Sequence, residues 1–243
     1  MSISNAMVLA AGLGTRLRPI TDTMPKPLVE IAGKPMIDYV LDLLVEAGIT
    51  RAAVNVHHFA DQMEGHLSRR SAPEILISDE RDALMNSGGG LVKGLKLLPD
   101  GPVLVMNADL FWVGEDTSRP SNLTRLAAAF DPDRMDMLLL CVRDENTTGH
   151  NGKKDFSLGA DGKLTRYKEG LPNPVVYAGA IALHSRLFAD APDDAFNLNI
   201  YFDRAAEKGR LHGILLEGHW MTVGTPEAIG EAEAAIRRHQ PGG

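Results

Sequence analysis

The sequence predicts an α/β protein: one three-layer domain built on a mostly parallel sheet, with helices on both faces. Three observations carry that prediction. Five short apolar runs fall within residues 1–142, stretches with helical spacing separate them, and no Pro- or Ser-rich linker divides the chain.

The run AMVLA (6–10) reads as a buried strand that opens into a glycine-bent loop. Met36, Ile37, Val40, Leu41 and Leu44 then recur at helical spacing, with Gly48 as the stop. AAVNV (52–56) and EILIS (74–78) supply two more strands, with DQMEGHLSRR (61–70) a short helix between them. GLVKGLKLL (90–98) predicts a helix, PVLVMN (102–107) a strand, NLTRLAAAF (122–130) a helix and MDMLLLCV (135–142) a fifth strand. Sheets of this kind bind ligands beyond the carboxyl ends of their strands, where residues 12–26, 79–90 and 107–112 would gather.

The pattern then changes. KKDFSLGADGKLTRYKEG (153–170) predicts a hairpin turning at Asp161-Gly162, and VVYAGAIAL (175–183) another strand. LNIYFDRAAEKG (198–209) reads as a helix ending at Gly209, and LHGILLEGHWMTVG (211–224) as a final hairpin. Pro226 opens a last helix that runs to about Arg238.

Composition narrows the functions. The formal net charge is −7, so a broad nucleic-acid footprint is excluded and any anionic ligand must be held by locally gathered cations. The one cysteine, Cys141, lies in an apolar run and reads as a small core hydrophobe; no disulfide can form within the chain. The N-terminal residues are too few and too weakly basic for a signal peptide, and no stretch nears the roughly 20 apolar residues of a membrane span. A cytoplasmic protein acting away from membranes is expected.

The stretch LAAGLGTRLRPITDTMPKPL (9–28) gathers three prolines, two arginines and a lysine around Gly12 and Gly14. Glycines so close permit a tight turn with backbone amides turned toward a bound anion. A Rossmann dinucleotide loop would need glycine at Leu17 and a second strand well before residue 52. A Walker phosphate loop would need Gly-Lys-Ser/Thr, which does not follow. Arg16, Arg18 and Lys26 in the same loop favour a polyphosphate over a turn that serves packing alone.

In LAAGLGTRLRP and MPKPL the chain resembles the sugar-1-phosphate nucleotidyltransferases. The likeness continues in order through IAGKPMIDYVLDLLVEAGI, NSGGGLVKGL, NADLFW, VYAG and HWMTVGTPEAI. The short length, the triple glycine, NADLFW and GHNGKKDF look most like the members that uridylylate N-acetylmuramate 1-phosphate in cell-wall recycling. The resemblance implies a Rossmann-like nucleotidyltransferase fold over residues 1–243, with 6–145 serving the nucleotide and 146–243 the sugar and the terminal helix. It also implies two substrates, a nucleoside triphosphate and a sugar 1-phosphate, and a magnesium ion. Guanylyl or thymidylyl transfer to mannose, heptose or glucose 1-phosphate, and a non-catalytic nucleotide-sugar sensor, stand as alternatives. The trimerising β-helix of some members is lacking, which points to a monomer.

The chemistry fits these residues. A phosphate monoester is largely dianionic at neutral pH, so attack on the α-phosphorus demands no general base. The site has to bring two polyanions together and stabilise charge on the transferring phosphoryl group and the leaving pyrophosphate. Ala10, Ala11, Gly12, Leu13, Gly14 and Thr15 are expected along the triphosphate, with Arg16 and Lys26 carrying catalysis. Asp109 closes a strand as an isolated acid, which suits Mg²⁺ shared with phosphate oxygens. The resemblance assigns Gly88 and Gly89 to the base, and Asn107, Gly152, Glu169, Tyr177 and Gly179 to the sugar. It also exposes a departure: Thr222 stands where the family's Trp-x-Asp-x-Gly-Thr motif has its second metal-binding carboxylate. His57 and His58 are adjacent, so on a strand end they point to opposite faces and make no metal pair.

Overall fold

In the computed structural model, which describes residues 3–239, the chain begins β1 (Asn5–Leu9), β2 (Glu30–Ile31), β3 (Lys34–Pro35), α1 (Met36–Glu46), β4 (Arg51–Val56), α2 (Ala60–Leu67) and β5 (Glu74–Asp79). It continues α3 (Asn86–Leu95), β6 (Pro102–Asn107), β7 (Leu110–Val113), α4 (Asn122–Ala129), β8 (Met137–Val142) and β9 (Thr147–Thr148). Last come β10 (Phe156–Leu158), β11 (Leu164–Arg166), β12 (Pro174–His184), α5 (Asn199–Glu207), β13 (Leu211–Leu215), β14 (His219–Thr222) and α6 (Pro226–His239).

Period-two alternation along the strands sets the layers. Ala6, Val8, Val54, Leu104, Met106, Leu138 and Leu140 face one side, where α1, α2, α4 and α6 pack. Met7, Ala53, Val103, Val105, Leu139 and Cys141 face the other, under α3 and α5. Because both faces are apolar, both must be covered, and three layers result.

Nine strands form the main sheet, in the path β11-β10-β12-β6-β1-β4-β5, with β8 and then β13 joined through β12. β6, β1, β4 and β5 are parallel, as the strand–helix alternation predicts. β12 runs antiparallel to both β6 and β8, so the sheet is mixed. The hairpin predicted at Asp161-Gly162 forms, with Leu158 opposite Leu164.

The final hairpin does not form. β13 lies parallel to β8 in the main sheet, whereas β14 joins β7 and β9 in a separate three-stranded sheet. The connection is pinned to α4 instead of folding into a turn: Asn122 Nδ2 donates to the Glu217 carbonyl at 2.8 Å, and the Glu217 N–H donates to Asn122 Oδ1 at 2.9 Å. Asn122 is fully buried, so this exchange satisfies polar groups that could not otherwise be left there. Trp220 then anchors β14 under the main sheet, its Nε1–H donating to the Ala178 carbonyl at 2.9 Å.

Candidate functional site

The basic loop leaves β1 over the carboxyl ends of β1, β4 and β6. Its base is tied down where the Ala10 N–H donates to the buried Asn55 Oδ1 at 2.6 Å. Ala11 is buried, while Gly12, Leu13, Thr15 and Arg16 are exposed. Among the described residues, the amides of Gly12, Leu13 and Gly14 donate to no protein acceptor, which leaves three donors free for an anion. Gly14 sits at φ +64°, and a Cβ there would lie 2.8 Å from Lys26 Cβ and 2.9 Å from Thr21 Cγ2. Only glycine fits this turn. Buried Leu17 anchors the single helical turn Thr15–Leu17, which aims Arg16 outward.

Lys26 is set between Pro25 and Pro27, both buried. Its ammonium pairs with the carboxylate of Asp109, just beyond β6. The two side chains are 12% and 31% exposed, so the pair is only partly shielded from water. Arg16 reaches the same region from the other side. A Cβ on Gly224 would lie 3.4 Å from its guanidinium carbon, so the first loop and the VGT segment after β14 meet there. Thr222 pairs in register with Leu110, the neighbour of Asp109. The threonine therefore occupies the place beside Asp109 where the resemblance calls for a second carboxylate. Among the described residues no group of three or more His, Cys, Asp or Glu could hold a metal. A cation here would rest on Asp109, with phosphate and water oxygens making up the rest, a donor set that suits Mg²⁺.

Beside this pair opens a cavity of about 260 Å³ whose lining includes Leu9, Asn107, Asp155, Arg166, Tyr177 and Asn197. Asn107 and Tyr177 both line this cavity. Burial, with Cys141, Asp155 and Asp109 nearby, pushes the Tyr177 phenol well above its ordinary range, so it is a hydrogen-bond donor at any working pH. The Tyr177 N–H donates to Asp155 Oδ2 at 2.9 Å. Gly179 lies on β12 where its pairing with β8 shifts register, facing Leu110 instead of the cavity. Gly152 and Glu169 are exposed on loops and do not line the cavity. A larger hollow of about 430 Å³ beside His184 and Asp100 lies at the opposite end of β6, away from Asp109.

Gly88 and Gly89 lie buried in the first turn of α3. Their amides donate to the Phe196 carbonyl at 2.8 and 3.3 Å, and a side chain on Gly88 would overlap the Phe196 ring. The close approach that these glycines permit is therefore made by the chain's own segment 194–196. Just before them, fully buried Glu80 accepts from Asn55 Nδ2 at 2.7 Å and from the Met85 N–H at 3.0 Å. Ala10, Asn55, Glu80 and Met85 form one hydrogen-bonded chain from the basic loop to the glycine turn. Glu80, Asp155 and Arg166 were not singled out by sequence. A polar Asn55 inside the apolar run AAVNV was the one visible signal of that buried chain.

Comparisons with known proteins bear on the family and the fold. The model of the family described as "Nucleotidyl transferase" matches residues 5–150. The chain is 45% identical over 236 residues to an N-acetylmuramate alpha-1-phosphate uridylyltransferase of Caulobacter vibrioides, covering 95% of this chain and 96% of that one. A protein of the same name from Neisseria meningitidis is 32% identical, with 94% and 96% covered. Among solved structures, the inositol-1-phosphate CTP transferase from T. maritima superposes with a TM-score of 0.77 at 16% identity, covering 98% of this chain and 97% of that one. An apo UDP-glucose pyrophosphorylase gives 0.78 at 18%, covering 97% and 98%. These structures share the fold, and the matches in sequence carry the family. The chain belongs to the nucleotidyl transferase family of enzymes.

Proposed function

We propose that this enzyme joins UTP to N-acetylmuramate 1-phosphate, giving UDP-N-acetylmuramate and pyrophosphate, and that it does so in the cytoplasm as a single catalytic domain. The observation that carries the reading is the 45% identity to the Caulobacter vibrioides uridylyltransferase across 95% of this chain. The matched stretch is long enough to span both the basic loop and the cavity.

In this reading the free amides of Gly12, Leu13 and Gly14 hold the triphosphate, with Ala10, Ala11 and Thr15 shaping the loop. Gly88 and Gly89 present α3 to the base once the 194–196 segment gives way. Asn107 and Tyr177 hold the sugar, with Gly179 shaping the strand between them and Asp109. Gly152 and Glu169 belong to the loops that run on to Asp155 and back from Arg166, which do line the cavity. An oxygen of the sugar phosphate bonds to the α-phosphorus as the bond from that phosphorus to the bridging oxygen of pyrophosphate breaks. Lys26 and Arg16 stabilise the charge on the transferring group and the departing pyrophosphate. A divalent ion, which this family generally uses, would be held by Asp109 and would screen the triphosphate's charge.

The test is pyrophosphate release and product mass across a panel of four nucleoside triphosphates and several sugar 1-phosphates. Turnover is expected with UTP and N-acetylmuramate 1-phosphate. Preferred turnover of another pair, or of none, overturns the assignment.

A further inference from the structure

The sugar cavity holds a cation that the chemistry at the phosphates does not use. Arg166 is the single positive group among the cavity's lining residues, and it sits on β11. Its guanidinium carbon lies 4.7 Å from the centroid of the Phe156 ring and 5.8 Å from that of Phe202. Arg166 Nε donates to Asp203 Oδ1 at 2.6 Å, and Nη2 donates to Asn199 Oδ1 at 3.0 Å. Among the described residues Nη1 donates to no protein acceptor. The group is thus oriented by two aromatic faces, a carboxylate and an amide, and still keeps one nitrogen uncommitted. An arginine held in this way is preorganised to offer Nη1 to a carboxylate in a charge-assisted hydrogen bond, from a position that a flexible lysine stem would not hold.

Resting on the reading above, we propose that Arg166 is a specificity-determining residue, binding the carboxylate of the lactyl ether that distinguishes N-acetylmuramate from N-acetylglucosamine. The two sugars share the ring, the acetamido group and the anomeric phosphate, so only this carboxylate calls for an additional cation. Its position supports the assignment. The anomeric phosphate and the 3-O-lactyl group leave different carbons of the ring, so the group that receives the second anion must stand across the cavity from Lys26. β11 is separated from β6, which carries Asn107, by β10 and β12. Three strand spacings make about 14 Å between the two backbones, a gap that a hexose and an extended arginine span together. Asp155 stands in the same cavity with one oxygen committed to the Tyr177 N–H. Its other oxygen suits a sugar hydroxyl or the acetamido N–H, and it sets a cost on any misplaced carboxylate.

The test compares kcat/KM for N-acetylmuramate 1-phosphate and N-acetylglucosamine 1-phosphate, each with UTP, in the wild type, Arg166→Met and Arg166→Lys. Methionine keeps an apolar stem against Phe156 and removes the charge. The ratio favouring the muramate substrate is expected to fall about 10- to 100-fold in Arg166→Met, the range of a lost charged hydrogen bond. The fall should lie mostly in KM, with Arg166→Lys intermediate. An unchanged ratio overturns the inference, whether the two rates stay level or drop together, because a merely structural arginine acts on both substrates alike. A wild type that uses neither sugar overturns the reading itself, and the inference with it.

Discussion

The Lys26 ammonium donates to the Asp109 carboxylate, joining the end of the basic loop to the end of β6. Two residues 83 positions apart, one expected to meet phosphate and the other a metal, neutralise each other in the free protein. Substrate binding must redistribute that pair, since a triphosphate competes for the lysine and a divalent ion for the acid. Asp109→Asn and Lys26→Met are each expected to lower kcat about 100-fold or more, the scale of a lost transition-state contact. Both side chains reach water, so thermal unfolding should show a loss below about 2 kcal/mol. A variant that keeps its rate would remove that residue from the reaction.

Arg16 makes a cleaner probe because it is exposed and little packing depends on it. Arg16→Ala is expected to reduce kcat/KM about 10- to 100-fold with no measurable change in melting temperature. Gly224→Ala places a methyl group against the guanidinium and should give a smaller loss. Unchanged catalytic efficiency in Arg16→Ala would rule out its role.

Thr222 offers a gain-of-function test. Its register opposite Leu110 places it beside Asp109, so Thr222→Asp should supply the second carboxylate that the resemblance calls for. The magnesium concentration giving half-maximal activity is expected to drop about tenfold, since affinity for such ions follows ligand charge. A magnesium titration of wild type and variant decides it, and an unchanged midpoint places any bound ion away from residue 222.

Glu80 tests the buried connection between the basic loop and the glycine turn. Glu80→Gln turns an acceptor into a donor that faces either Asn55 Nδ2 or the Met85 N–H, both already donors. An unsatisfied buried group of this kind costs about 1–3 kcal/mol, and each kcal/mol is worth about 2–4 °C in a chain of this size. KM for the nucleotide should rise as well, because Asn55 also holds the Ala10 N–H. Calorimetry with steady-state kinetics reads both effects.

His219 is expected to give the fold an acid sensitivity. Burial lowers its pKa below the ordinary value of 6.5, with His239 and Arg238 adding to the effect, while its Nε2 lies 2.8 Å from Thr148 Oγ1. The unfolded chain therefore binds a proton that the folded one resists. The resulting stability is complete above pH about 6.5 and is lost as pH falls through the folded-state pKa. Melting temperature should decline more steeply between about pH 7 and pH 5 in the wild type than in His219→Gln. Parallel slopes would show that the imidazole does not contribute.

Much of the fold was legible because short apolar runs buried on both faces and helices with a single apolar stripe leave local traces. The β1 loop could be read from Gly12, Gly14, Arg16 and Lys26, since backbone conformation and charge are both local properties. Pairing over long distances left no such trace. LHGIL and HWMT read as a hairpin by proximity, yet Asn122, far back in the chain, pins the link between them. Arg166 went unnoticed for the same reason: its meaning comes from Phe156, Phe202 and Asp203, which only tertiary structure brings around it. Gly88 and Gly89 read as a place where a flat base could lie close, and the group that approaches them here, Phe196, is the protein's own.

The antiparallel course of β12 bears on how the molecule can be made. β6 and β8 are both synthesised before it, yet each hydrogen-bonds to β12 and not to the other. A nascent chain that has emerged only as far as β8 lacks the strand with which both of these apolar strands pair. The sheet can close only when residue 184 has cleared the ribosome, so the interval before that is when a growing chain most needs shielding from its neighbours.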